Sequence, residues 1–258
     1  MRAFLCNLLQ NPEKPLDINA LGRFIRSDDQ REPYQAAAGV PLDGLSDAQI
    51  AALGPRVQAQ LAQSAPNAVF VKTHAYLGTH FGVPQINLEV TAGTIYVVRN
   101  PLDVVISLAD HYGFDLDQAV ETLGTKGFAS AAGEGRVAQL IDTWSVHVES
   151  WTRTPHPTLH VVRYEDMLAK PEKTFGAIAG FLQLSPPRAR LRKAIKFSSF
   201  RTLKRQETER GFVERSPVSS RFFRQGQAGQ WRTVLSPRQI DRIVADHGEQ
   251  MARFGYLP

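Results

Sequence analysis

Arg99 and Ser107 stand eight residues apart within Thr94–Tyr112, TIYVVRNPLDVVISLADHY, where a short apolar run reaches Arg99-Asn100-Pro101 and then opens a helix. A guanidinium at a strand end and a hydroxyl on the helix that follows can together hold an anion. The residues also mark the helix start. Asn100 suits the N-cap, Pro101 the first helical position, and Asp103 stands three residues after the cap, where it can return the capping bond. Ser107 shares a helix face with Asp103. An ion pair between Arg99 and Asp103 is the purely structural alternative. Upstream, Ala68–His74 reads AVFVKTH, a second apolar run that ends in Lys72-Thr73-His74. A neutral imidazole can accept a proton from a hydroxyl, and a neighbouring ammonium can meet developing negative charge. A capping or core histidine is the bland alternative for His74, and a solvated cation for Lys72.

Such groups need elements to place them. Ala68–Lys72 and Thr94–Val98 are continuous apolar runs of the kind buried on both faces of a parallel sheet. Thr158–Val162 reads as a third strand, with Arg163-Tyr164-Glu165-Asp166 at its carboxyl end, the edge where ligands of open α/β sheets gather. Helical spacing is predicted for Met1–Gln10, from Ser46-Asp47 through Gln63, and for Pro101–Tyr112, Leu116–Leu123, Gly135–Thr152, Lys173–Leu182, Pro187–Lys196 and Pro237–Phe254. Glu13–Leu45 and Glu207–Arg232 read as irregular connections. The alternation predicts an α/β fold, a parallel β-sheet flanked by helices.

The 258 residues carry 43% hydrophobic side chains and a formal charge of +5, and no composition shift marks a second domain, so residues 1–258 are expected to form one. Cys6 is the only cysteine, which excludes an internal disulfide and a cysteine-rich zinc site and suits a reducing cytoplasm. No run approaches the roughly 20 apolar residues of a membrane span. His80, His111, His147, His156, His160 and His247 show no setting comparable to that of His74, and no metal site is assigned. The basic stretch from Arg188 to Arg232 reads as solvated charge; a nucleic-acid surface is its alternative, without the interleaved aromatics such a surface uses.

Five segments in order resemble the cytosolic-type sulfotransferase family, whose members transfer a sulfuryl group from 3′-phosphoadenosine 5′-phosphosulfate (PAPS). They are Lys72-Thr73-His74, the Arg99 to Ser107 segment, Tyr164-Glu165-Asp166, Ser198-Ser199-Phe200, and Phe222-Phe223-Arg224-Gln225-Gly226 through Gly229-Gln230-Trp231. The resemblance implies a P-loop-kinase-like fold. It implies His74 as catalytic base and Lys72 on the sulfuryl oxygens, with Arg99, Ser107, Arg224 and the Gly226 amide on the 3′-phosphate. Tyr164 and Phe200 would face adenine, and Ser198 would contact the nucleotide. Gln225 occupies the place of a family Lys in the cofactor-binding loop, so one cationic contact is lost there; Gln230 replaces an Asp and has no assigned role. The implied partners are PAPS and a small-molecule acceptor bearing a hydroxyl or amine, with no metal, no nucleic acid and no membrane. Oligomeric state is left open.

The family's opening strand and its Pro-Lys-Ser-Gly-like loop, which cradles the 5′-phosphosulfate, have no counterpart in these residues, and there is no GxxxxGK[ST] loop. Met1-Arg2-Ala3-Phe4-Leu5 resembles the helix that follows that loop. The expectation is an N-terminally truncated fold: a chain starting at an internal methionine, or a remnant without its first strand. Removing that strand would leave its sheet neighbours unpaired and take away a cation facing the leaving phosphate. Two other functions stay open at this point, a nucleotide-binding remnant that does not turn over and a basic nucleic-acid-binding protein.

Overall fold

In the computed structural model, which describes residues 1–133 and 135–258, the helices in chain order begin with α1 (Arg2–Gln10), α2 (Leu21–Phe24), α3 (Arg31–Ala38), α4 (Asp47–Ala62), α5 (Pro101–Tyr112) and α6 (Leu116–Leu123). They continue with α7 (Trp144–Thr152), α8 (Tyr164–Ala169), α9 (Pro171–Phe181), α10 (Arg188–Phe197), α11 (Phe200–Arg210), α12 (Trp231–Val234) and α13 (Pro237–Arg253). The strands are short. β1 (Arg26–Ser27) pairs in parallel with β2 (Val71–Lys72), β3 (Thr79–His80) pairs antiparallel with β4 (Val83–Pro84), and β5 (Thr94–Val98) pairs with β6 (Leu159–Arg163).

Side-chain caps set several helix starts. Asn100 Oδ1 accepts from Leu102 N–H at 2.9 Å and Pro101 takes the first position of α5, as its sequence requires. Ser46 and Ser236 each form a full capping box with a glutamine three residues on, opening α4 and α13. Gly113 closes α5 at φ 71°, a left-handed conformation that favours glycine.

The chain forms two compact units. The first comprises Met1–Phe24, Ile95–Leu123 and His160–Pro258, and the second Ile25–Thr94 and Gly124–Leu159. In the first, Phe4, Leu8, Val98, Leu102, Val105, Ile178, Ile243 and Met251 are almost wholly withdrawn from water. Each such side chain contributes about 1.5 to 3 kcal/mol of transfer free energy. In the second, α3 and α4 bury Tyr34, Ala37, Val57 and Leu61 together with Leu42 and Val137.

Four sequence expectations are corrected. Glu13–Leu45 is not an irregular connection. Asp17 caps a short turn by accepting from Asn19 N–H, and α2, β1 and α3 follow, with α3 burying Tyr34 and Ala37. The helix expected over Gly135–Thr152 contracts to α7, capped by Thr143, because Arg136 and Leu140 bridge to Gln30 and Ala129 and hold the preceding chain extended. The stripe of Val137, Leu140 and Ile141 mimicked a helix face but serves a tertiary seam. Within Glu207–Arg232, α11 persists to Arg210. The apolar run Ala68–Lys72 carries ladder pairing only at Val71–Lys72.

Candidate active site

The first unit gathers two guanidinium groups on one helix. Arg99, at the end of β5, donates from Nη1 to Ser107 Oγ at 2.9 Å, and its guanidinium lies 4.7 Å from the ring centroid of Tyr164. That separation permits a cation–π contact. Arg224 donates from Nη2 to Ile106 O at 3.1 Å, and its Nε lies 3.4 Å from Asp110 Oδ2. Both arginines thus end within a turn of α5. Burial raises the Tyr164 phenol above its ordinary range, and the Arg99 cation works against that rise.

The turn that carries Arg99 is braced from behind. Asn100 N–H donates to Glu165 Oε1 at 3.0 Å, and Glu165 Oε2 accepts from Tyr256 Oη at 2.7 Å. Asp103 therefore does not return the capping bond to Asn100. Its carboxylate, only 1% exposed, accepts instead from Gly229 N–H at 2.6 Å and Trp231 N–H at 3.1 Å. The apparent capping-box spacing serves a different purpose, fixing the chain just beyond Gly226.

The Arg224-Gln225-Gly226 loop is held by α11. Glu207 accepts from Phe222 N–H at 2.6 Å and from Phe223 N–H at 2.8 Å, one bond to each carboxylate oxygen. Lys204 Nζ donates to Arg224 O at 3.0 Å and lies 5.7 Å from the Phe200 ring centroid. Gly226 adopts φ 62°, and a Cβ there would fall 2.1 Å from the Phe200 ring. Phe200, Lys204 and Glu207 are spaced by four and three residues, one face of a helix, and that spacing was the available sequence signal for Lys204 and Glu207. Phe200 is half-buried with the loop backbone against its ring. Gln225 is exposed. Ser198 turns its hydroxyl back to Ala194 O at 2.9 Å and Ile195 O at 3.2 Å, closing α10.

The second unit presents Lys72-Thr73-His74. Lys72 ends β2, and its carbonyl accepts from Asp28 N–H at 2.9 Å and from Ser27 Oγ at 3.3 Å. His74 N–H donates to Gln139 Oε1 at 3.2 Å, while His74 O lies 3.1 Å from His147 Nε2. A carbonyl only accepts, so His147 carries its proton on Nε2. Trp151 Nε1 donates to Ala75 O at 3.1 Å from the same face of α7. His147 thus packs on the backbone of the very segment that bears His74, a long-range contact that its own sequence surroundings do not signal. The crowded surroundings first, and the Lys72 cation second, push the His74 imidazole down to about 4. The residue is nonetheless exposed, so water moderates the depression, and at neutral pH the ring is neutral either way.

The sulfotransferase domain family model matches residues 27–255. Sulfotransferase 1A1 of Canis lupus familiaris is 26% identical over 204 residues, spanning 76% of this chain and 66% of that protein. Sulfotransferase 1A1 of Mus musculus is 28% identical over 193 residues, spanning 72% of this chain and 64% of that protein. The chain thus spans just under two thirds of the length of these curated relatives. Among solved structures, mouse sulfotransferase SULT7A1 complexed with PAP superposes with a TM-score of 0.62 at 17% identity, covering 96% of this chain and 78% of the other. A retinol dehydratase in complex with androsterone and the inactive cofactor PAP gives a TM-score of 0.64, also at 17% identity, with coverages of 97% and 76%. At such identities the structural likeness is one of fold, and it agrees with the α/β architecture expected from the sequence. With a family model matched along nearly its whole length, the chain belongs to the sulfotransferase family.

Proposed function

We propose that residues 1–258 act as a single cytoplasmic sulfotransferase domain that moves a sulfuryl group from PAPS to a hydroxyl or amine of a small-molecule acceptor. The observation that carries this reading is the meeting of Arg99, Ser107 and Arg224 on α5, with Arg99 Nη1 2.9 Å from Ser107 Oγ and Arg224 Nη2 3.1 Å from Ile106 O. Two guanidinium groups beside a hydroxyl suit a dianion such as a 3′-phosphate, and their planar forks distinguish it from a plain nucleotide. The left-handed Gly226 leaves no room for a side chain against Phe200, which fits a loop whose amide approaches an anion closely. Tyr164 and Phe200 supply faces for a purine, and Ser198 and Gln225 lie on the flanking segments.

When bound, PAPS supplies the activated sulfuryl group. Sulfuryl transfer resembles phosphoryl transfer in asking for positioning and charge stabilisation more than covalent help. In this reading Lys72 faces the sulfuryl oxygens, and His74, neutral at physiological pH, takes the acceptor's proton. The cationic groups meet the donor's charge, and no metal is called for.

The experiment is incubation of the chain with sulfur-labelled PAPS and a panel of phenols, steroids, sugars and tyrosine peptides. Label transfer that depends on acceptor and is abolished by His74→Ala supports the proposal. Tight binding of adenosine 3′,5′-bisphosphate with no transfer to any acceptor would favour a nucleotide-binding protein instead.

A further inference from the structure

Asp28 is a buried carboxylate, 3% exposed, that the proposed chemistry does not use. Gln139 Nε2 donates to its Oδ1 at 2.8 Å and Gln58 Nε2 to its Oδ2 at 3.3 Å. These donors are neutral, and burial pushes its pKa up to about 6. An ionised carboxylate accepts hydrogen bonds and donates none, so Asp28 dictates which end of the Gln139 carboxamide faces it. With the Gln139 NH₂ turned toward Asp28, and 3.3 Å from Thr73 Oγ1, the amide oxygen points the other way and accepts His74 N–H at 3.2 Å. Gln139 is 6% exposed, so water offers little substitute for any of these bonds.

The base of this arrangement is itself fastened. Gln85 accepts from Leu140 N–H and donates to Leu140 O, both at 2.9 Å, copying the bonds of a strand partner beside Gln139. Gln58 accepts from Asn87 N–H at 2.6 Å and donates to Gln85 O at 2.7 Å. Polarity therefore runs in one direction, from carboxylate to carboxamide to the backbone of His74, with each link fixed by the one before.

We infer that Gln139, oriented by Asp28, is the positioning residue that sets the backbone of His74 and through it the direction of the imidazole. The inference rests on reading His74 as the base. It adds two polar residues to the reaction's machinery, neither of which touches substrate.

Exchanging polarity tests it. Gln139→Glu sets a second carboxylate against the first, and Asp28→Asn presents an amide where Gln139 and Gln58 both donate. In the double exchange D28N/Q139E, the amide at position 28 donates to the carboxylate at position 139, whose other oxygen still accepts from His74, and net charge is unchanged. Amide hydrogen exchange at His74 is followed by NMR on the full chain, with kcat and KM for PAPS alongside. Each single variant should speed His74 exchange by about 10- to 100-fold, the cost of one lost buried hydrogen bond. Each should also lower kcat by about tenfold, with KM for PAPS within about threefold, as misplacement of a base does. The double exchange should bring both readouts back to within about threefold of the parent, the rescue that complementary polarity gives. Gln139→Met serves if Gln139→Glu does not fold. Unchanged exchange in both single variants, or a double variant as impaired or as poorly folded as the worse single one, overturns the inference. Absence of sulfate transfer by the parent chain would count against the proposed function, and exchange at His74 would then decide the positioning role alone.

Discussion

Arg99 Nη1 lies 2.9 Å from Ser107 Oγ, so the end of β5 and the second turn of α5 are joined through the two side chains best suited to an anion. Such a pair holds its donors in place before a ligand arrives, and an oxyanion that replaces the hydroxyl as acceptor needs little reorganisation. Arg99→Ala should weaken adenosine 3′,5′-bisphosphate binding by roughly 2 to 5 kcal/mol, the range for truncating one partner of a desolvated charge pair. Ser107→Ala should cost only about 0.5 to 1.5 kcal/mol. Isothermal titration of both variants checks the order; unchanged affinity in Arg99→Ala would mean that Arg99 serves the fold alone.

Gly226 is expected to tolerate no side chain. At φ 62° an added Cβ would lie 2.1 Å from the Phe200 ring, so Gly226→Ala combines backbone strain with a clash. The left-handed conformation alone costs about 1 to 2 kcal/mol. Bisphosphate affinity should fall, and Phe200→Ala in the same chain should relieve the clash while leaving the strain. Because Phe200 also offers a face to the purine in the proposed site, urea unfolding of the two single variants and the double variant separates the two contributions, and an unaffected Gly226→Ala would show that the loop can move freely.

Asp103 and Glu207 are expected to matter for stability before they matter for binding. Each buried carboxylate accepts two backbone N–H groups, Gly229 and Trp231 for Asp103, Phe222 and Phe223 for Glu207. Truncation to Ala leaves those donors unpaired at about 1 to 3 kcal/mol each. Urea unfolding should show the loss for either variant. A midpoint shift without a change in slope would match an intact unfolded state, and no shift would contradict the clamp.

The pH dependence of turnover should follow His74. Because crowding and the Lys72 cation depress its pKa and its exposure to water moderates that depression, the imidazole should stay neutral to a pH below the ordinary histidine value, and kcat should hold level through about 6.5 before dropping as the base protonates. A kcat profile with a midpoint near the ordinary histidine value of about 6.5 would contradict the crowded setting described for the ring.

His247 gives a separate acid arm to stability. It is 3% exposed, and burial pushes its pKa down to about 4. The unfolded chain, with an imidazole near 6.5, binds the proton more readily, so the stabilisation is complete above about 6.5 and lost as pH falls toward about 4. Between pH 7 and 4.5 this group should remove roughly 2 to 3 kcal/mol. Urea unfolding at both pH values should show a smaller decline in His247→Gln, and parallel declines would exclude His247 as the source.

Much of this site could be read from the sequence where the governing interaction is local. Asn100-Pro101 and Ser46-Asp47 marked helix starts within a few residues, and Leu116–Leu123 has the bounds its spacing predicted. What escaped depends on partners far along the chain. Asp103 has the spacing of a capping box, but the Asn100 N–H it would have taken goes to Glu165, 65 residues on. Val137, Leu140 and Ile141 form a helical stripe, yet bridges to Gln30 and Ala129 keep that stretch extended. Gln139 carried no local signal, because a glutamine gains its direction only from the carboxylate and amide that meet it. The Lys-Thr-His triplet was legible by type, whereas the residues that hold it were not.

Competing titrations of the full chain with adenosine 3′,5′-bisphosphate and adenosine 5′-monophosphate decide whether Arg99, Ser107 and Arg224 form a 3′-phosphate site. The bisphosphate should bind about 100-fold or more tightly, in line with one strong charge-assisted bidentate contact. That preference should collapse toward unity in Arg99→Ala. Equal affinity for the two nucleotides in the unmodified chain, or a preference that survives the loss of Arg99, would contradict such a site.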